Sequence, residues 1–203
     1  MRENGKELDK IEELVKKHIE DSIDVKRRLA GTTSKIIARI AEEMIHAYRK
    51  GNKVVWFGNG GSAADAQHLS CELVGKFYLK RKALESIALT TNTSIITATA
   101  NDDDFKEIFA RQVEAMVKPG DVVIGISTSG NSQNVLRGIE EAKKQGGITV
   151  ALTGVKGGVL KGKVDYLLAV PSTEGPRIQE SHIMIGHILC YLVEKGLFGE
   201  DNG

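Results

Sequence analysis

Cysteine is scarce in this chain. Cys71 and Cys190 are the only two, they form no C-x-x-C pair, and both fall in segments with a helical pattern. That excludes a disulfide framework and reads as two buried, reduced thiols in a cytosolic setting. Aromatics are few as well, at five Phe, one Trp and four Tyr, so the core must be mostly aliphatic. A net charge of only +1 removes any global electrostatic case for nucleic acid or a membrane surface. No apolar run is long enough to cross a bilayer, and the polar, charged first residues do not resemble a signal peptide. The chain is therefore expected to be soluble and cytoplasmic. Linkers, low-complexity tracts and solenoid-length repeats are missing too. The 203 residues read as one domain, 1–203, with 1–50 as a helical N-terminal extension.

What is present is ordinary in bulk and specific in detail. Hydrophobic residues make up 41% and charged residues 27%, as in most globular proteins. The 22 glycines concentrate at junctions between strand-like and helix-like segments. From about Glu7 to Lys50 the chain is helical in pattern, with Leu8, Ile11, Leu14 and Val15 at helical spacing. A second helix is expected from Thr33 to Tyr48, after Gly31. An apolar stripe this long must be covered by a sheet or by another subunit. Beyond Lys53, short apolar runs alternate with helical patterns. The expected strands are Val54–Phe57, Ser86–Leu89, Val122–Ile126, Thr149–Leu152 and Tyr166–Val170. The expected helices are Ser62–Gly75, Thr93–Ala100, Phe105–Val117, Ser132–Gln145 and Arg177–Lys195. Gly199 to Gly203 read as a frayed end. Continuous apolar strands with helical crossovers predict an α/β fold, a three-layer doubly wound parallel sheet of flavodoxin-like type. Ligands then belong beyond the carboxyl ends of the strands.

Two of those strand ends are chemically loaded. The first strand runs into Asn59-Gly60-Gly61-Ser62, a glycine turn that aims backbone N–H groups and a helix N-terminus at an anion. His68 and Glu72 follow, four residues apart on one helical face. The third strand ends in Ser127-Thr128-Ser129-Gly130-Asn131-Ser132, just before a helix. One hydroxyl would serve as an N-cap; four in six residues point to a phosphate. No Walker lysine is present, which disfavours a nucleoside triphosphate. Gly58 to Ala63 also spells G-x-G-x-x-A, but no acid closes the second strand at Leu89-Thr90-Thr91-Asn92, so a dinucleotide site lacks its ribose partner. Asn101-Asp102-Asp103-Asp104 is the most acidic spot. Asp103 and Asp104 read best as a solvated turn capping the next helix, while one acid could hold a sugar hydroxyl.

A metal site is the harder question. On the last helix, Gln179 and His187 are eight residues apart and share a face, with His182 off that face as a packing or solvent-facing histidine. His68, Glu72, Gln179 and His187 could ligate zinc or a similar ion. By spacing alone, a surface His–Glu pair is the better reading, because nothing in the sequence forces the two helices together.

The run Phe57-Gly58-Asn59-Gly60-Gly61-Ser62 with Asp65-Ala66-Gln67-His68 and Glu72 resembles bacterial phosphoheptose isomerases. So do Gly125 to Ser132, and Arg177-Ile178-Gln179-Glu180-Ser181-His182 leading to His187. The likeness spans almost the whole chain, and the serine-rich loop is shared across the sugar isomerase (SIS) domain superfamily. It implies a sugar-phosphate aldose–ketose isomerase converting sedoheptulose 7-phosphate to D-glycero-D-manno-heptose 7-phosphate for ADP- or GDP-heptose biosynthesis. It further implies a cytoplasmic homotetramer with active sites between subunits and one Zn2+ per subunit on His68, Glu72, Gln179 and His187. Glu72 and His187 would be catalytic. Asn59, Gly60, Gly61, Glu72, Asn101, Asp102, Ser127, Thr128, Ser129, Ser132 and Gln179 would bind substrate. Lys76 and Pro176 depart from members that carry Arg and Asp there. Two alternatives stay open. One is a regulatory protein of the same fold that binds the replication initiator DnaA, whose kind lacks the acid at 72 and the last-helix histidine. The other is an SIS isomerase for another sugar phosphate.

Overall fold

The computed structural model describes residues 2–199, with side chains from residue 7; of the expected frayed end, 200–203 lie outside the described residues. Helix α1 (Arg2–Arg49) leads into β1 (Val54–Gly58), α2 (Gly61–Val74) and β2 (Ser86–Ala88). Then come α3 (Thr93–Asp102), a 3-10 turn at Phe105–Glu107, α4 (Ala110–Met116) and β3 (Val122–Ile126). Helix α5 (Gln133–Lys144), β4 (Ile148–Gly154), a 3-10 turn at Gly158–Leu160, β5 (Tyr166–Val170) and α6 (Gly175–Phe198) complete the chain. The five strands form one sheet in the order β2-β1-β3-β4-β5, and every pairing is parallel. This is the doubly wound arrangement the sequence predicts.

Strand alternation splits the core in two. Val54 and Trp56 of β1, with Val122, Ile124 and Ile126 of β3, pack under α1, α2 and α6. Val55, Phe57 and Val123 point to the other face, beneath α4 and α5. Both faces are covered, so the strands carry no polar alternation. At the amino ends of the strands, Lys53 and Asp121 form a buried 2.6 Å ion pair. Asp121 also accepts the backbone N–H groups of Lys53 and Lys118, which fixes β1 and β3 opposite the ligand end.

Two expectations need correction. The helical extension is one continuous helix, not two, because Gly31 does not break it. A glycine inside a helix costs only about 1 kcal/mol. Val25, Leu29, Thr33, Ile37, Ile40 and Met44 are all buried at spacings of three or four, and that packing carries the helix through. The expected helix at Phe105–Val117 is instead a 3-10 turn followed by the short α4. Asp104 caps the turn by accepting from the Lys106 N–H.

Candidate active site

The sheet order reverses between β1 and β3, which opens a crevice beyond their carboxyl ends. Gly60 takes φ +55 at the mouth of α2, a left-handed conformation glycine adopts freely. Gly58 must also stay bare, since a Cβ there would sit 2.8 Å from the Ile126 carbonyl. On the β3 side, Gly130 at φ +70 packs onto the backbone of Gly157 and Gly158, which shapes the hydroxyl-rich loop. The Ser127 and Ser132 hydroxyls lie 3.0 Å apart, and Ser129 Oγ accepts from the Asn131 N–H. Thr128 is half-buried and Ser129 exposed, so both have a face to solvent. The two banks are tied by a reciprocal amide pair. Asn59 and Asn134 exchange two hydrogen bonds of 2.8 Å, which joins the glycine turn to the start of α5. Asn134 was not anticipated; its only signal was an amide one residue into a helix that follows a ligand loop. Asn59, Ser132 and Asn134 line a 430 Å³ groove with Asp104, Phe105 and Lys106. Asn101 donates to Asp102 at 2.8 Å at the exposed end of α3, just ahead of that wall.

Helices α2 and α6 lie side by side. A Cβ on Gly186 would meet the Leu69 side chain at 2.4 Å, so the glycine permits the close approach. The contact brings His68 Nε2 to 2.8 Å from His187 Nε2 and 3.2 Å from Glu72 Oε1. His68, Glu72 and His187 are thus the group of metal-ligating side chains the structure assembles among its described residues. Two imidazoles and a carboxylate are the donor set of a catalytic zinc, which keeps a position open. Gln179 stands two turns earlier on α6. Its amide packs on Gly61, where a Cβ would come within 1.9 Å of Nε2, and it neighbours Asp65. One Asp65 oxygen is buried without a partner. Burial pushes the Asp65 carboxyl up, against the opposing pull of His68 and Gln179.

Of the other side chains singled out in the sequence, His182 and Cys190 pack inside and Cys71 does not. His182 is fully buried; its Nε2 is 3.2 Å from the Thr153 carbonyl, and desolvation brings its pKa down to about 4. Cys190 is buried as expected, and burial pushes its thiol up to about 12. Cys71 is exposed, contrary to expectation, because it sits on the outer face of α2. Both thiols are free. Lys76 is exposed beyond α2. Pro176 stands at the first turn of α6, where its missing N–H costs nothing.

Residues 17–154 match the SIS domain family. The chain is 50% identical to a phosphoheptose isomerase of Aneurinibacillus thermoaerophilus over 91% of its length and 94% of that protein. It is 52% identical to one from Clostridium acetobutylicum, over 92% and 96%. The solved structure of a phosphoheptose isomerase from Francisella tularensis superposes with a TM-score of 0.88 at 37% identity, covering 90% of this chain and 97% of that one.

Proposed function

The chain belongs to the phosphoheptose isomerase family, and we propose that it interconverts sedoheptulose 7-phosphate and D-glycero-D-manno-heptose 7-phosphate. The observation that supports this reading is the convergence of His68, Glu72 and His187 from α2 and α6, with α2 starting just after the carboxyl end of β1. The regulatory alternative is not favoured: both residues such a protein lacks, Glu72 and His187, are present in the cluster.

The reaction moves one proton between carbons and one between oxygens. A proton on C1 of the ketose, α to the C2 carbonyl, is too weakly acidic to leave unaided. Glu72 is the base that takes it and returns it to C2 of the enediolate. His187 moves the second proton, from the C1 hydroxyl to the oxygen on C2, which leaves an aldehyde at C1. Zinc on His68, Glu72 and His187, with Gln179 as the further donor, would act as a Lewis acid for the charge that develops on the two oxygens. Ser127, Thr128, Ser129 and Ser132 hold the phosphate at the start of α5, assisted by the helix N-terminus. Asn59, Gly60, Gly61, Asn101 and Asp102 orient the sugar between. Anchoring the phosphate spends remote binding energy on placing C1 and C2 at the base.

The same reading makes the protein a cytoplasmic homotetramer of single SIS domains (1–203, with 1–50 as the extension), its sites completed at subunit interfaces and its product destined for nucleotide-activated heptose. Two free thiols support the compartment. Exposed Leu8, Ile11, Leu14, Val15 and Ile19 on α1 support the assembly. The test is incubation with sedoheptulose 7-phosphate, with and without a chelator, and detection of the aldose. Turnover that needs the metal is expected. Glu72→Gln should lower kcat by about 10³-fold or more while phosphate affinity and fold persist. Near-normal turnover in that variant would remove Glu72 from the role of base.

A further inference from the structure

Outside the cluster lies a buried ion pair most of whose hydrogen bonds go to the end of α2 and to the segment that follows it. The side chains of Glu194 on α6 and of Arg81, beyond α2, are each only 2% exposed. Glu194 Oε1 accepts from Arg81 Nε at 2.9 Å and from the Phe77 N–H at 3.2 Å. Its Oε2 accepts from the N–H groups of Tyr78 and Leu79 at 2.7 and 3.0 Å. Burial opposes the Glu194 charge, but these donors outweigh it and hold the carboxyl below the usual range. Arg81 turns two further donors back onto the end of α2 and shares one with its neighbour Lys82. Its Nη2 reaches the carbonyl of Glu72 at 2.9 Å, and its Nη1 reaches the carbonyls of Leu73 and Lys82 at 2.9 and 3.1 Å. The Glu72 carbonyl, an orphan at the end of α2, is thereby satisfied, and the Leu73 carbonyl gains a donor beside the Leu84 N–H. The segment so held carries the Phe77 ring to 5.8 Å from the His187 imidazole, tilted by 32°.

We propose that Arg81 and Glu194 are positioning residues of the site: they tie the segment Gly75–Arg81 to α6 and to the end of α2, seat Phe77 against His187, and pin the backbone of Glu72. Neither touches the reacting carbons. Their effect passes through the two side chains that share the proton transfers, so the proposal rests on the isomerase reading for its consequence and on geometry for its substance. Capping the end of α2 is a structural role in its own right; the positioning role is the part that zinc affinity and kcat read.

The test uses Glu194→Gln, which turns an amide N–H₂ toward donors, together with Phe77→Leu and Phe77→Tyr. Each is assayed for kcat and KM on sedoheptulose 7-phosphate, and each apo-protein for zinc affinity by competition with a chromogenic chelator. Glu194→Gln and Phe77→Leu should each lower kcat about tenfold or more, weaken zinc binding about tenfold or more, and leave KM within about threefold. Phe77→Tyr keeps the ring and should restore both. If Glu194→Gln does not fold, the two Phe77 variants decide the matter, since Phe77 is only half-buried. Folded variants with kcat and zinc affinity within about twofold of the parent would overturn the proposal. So would a rise in KM at unchanged kcat, which would make the segment a substrate-binding wall. A parent with no turnover, whose zinc affinity nevertheless falls in both variants, would keep the positioning role and sink the isomerase reading.

Discussion

Gly61 has no side chain because Gln179 occupies the volume one would take. A methyl there would lie 1.9 Å from the Gln179 amide nitrogen, and the atom in the way is the far end of a flexible side chain. Gly61→Ala should therefore displace the amide, not the fold. We expect zinc affinity of the apo-protein to fall about tenfold, with a melting temperature within about 4 °C of the parent; equilibrium dialysis and calorimetry would check it. His182 illustrates a different economy. Its ring is fully buried, with Nε2 on the Thr153 carbonyl and Nδ1 without a partner, so only the neutral form suits the site. Its pKa falls from 6.5 to about 4 on folding. As pH drops, the unfolded chain takes up this proton before the folded one does, so stability is intact above pH 6.5 and drains away between there and about pH 4. The loss is on the order of 3 kcal/mol. His182→Gln should remove that part of the pH dependence, read from urea unfolding at pH 7 and pH 4.5. An unchanged slope would assign it to other groups.

At the level of elements, the hydroxyl-rich loop and the α2–α6 pair do separate jobs and should fail separately. Ser129→Ala removes an exposed hydroxyl that also shapes the loop through the Asn131 N–H. A hydrogen bond to a charged group contributes about 1.5–3 kcal/mol, so KM should rise about 10- to 100-fold while kcat stays near the parent value. Steady-state kinetics checks this, and a collapse of kcat at constant KM would count against a purely binding role. The loop was legible because its signal is local: four hydroxyls and a glycine between an apolar run and a helical one. The strands were legible for the same reason, since strands buried on both faces read as unbroken apolar runs. Strand β4 reaches past the expected Leu152 to Gly154, because Thr153 and Gly154 still find partners in Ala169 and Val170. The helix pairing was not legible. His68 and His187 are 119 positions apart, and Arg81 and Glu194 are 113 apart. No periodicity encodes which helices become neighbours; Gly186 marks the contact only once Leu69 is seen against it.

For the whole molecule, the unresolved business is apolar surface without cover. Leu8, Ile11, Leu14, Val15 and Ile19 are each more than half exposed along the free part of α1. A helix of 48 residues extends about 70 Å, far beyond what one small domain can cover. Several of these residues line a 610 Å³ groove that continues to Arg177 and Glu180 at the start of α6. A second apolar rim stands nearer the chemistry. Val74, Tyr78, Leu79, Ile188 and Tyr191 are exposed, at the end of α2, just beyond it, and on α6 next to His187. A soluble monomer rarely keeps patches of this extent, and the tetramer proposed above would give the α1 stripe its cover. A tetramer that also covered the rim would exclude water from the site and strengthen the charge interactions there. None of the proposed site residues lies on α1, so the link between assembly and turnover can be separated from direct damage. Leu14→Glu with Ile19→Glu places two charges on the stripe and no strain in the fold. We expect the parent to elute as a tetramer by light scattering, the double variant to elute as a smaller species with unchanged helical circular dichroism, and its kcat to fall at least about tenfold. A small species with full activity would mean each chain carries a complete site. A tetramer that persists would mean the stripe is covered by something other than the assembly.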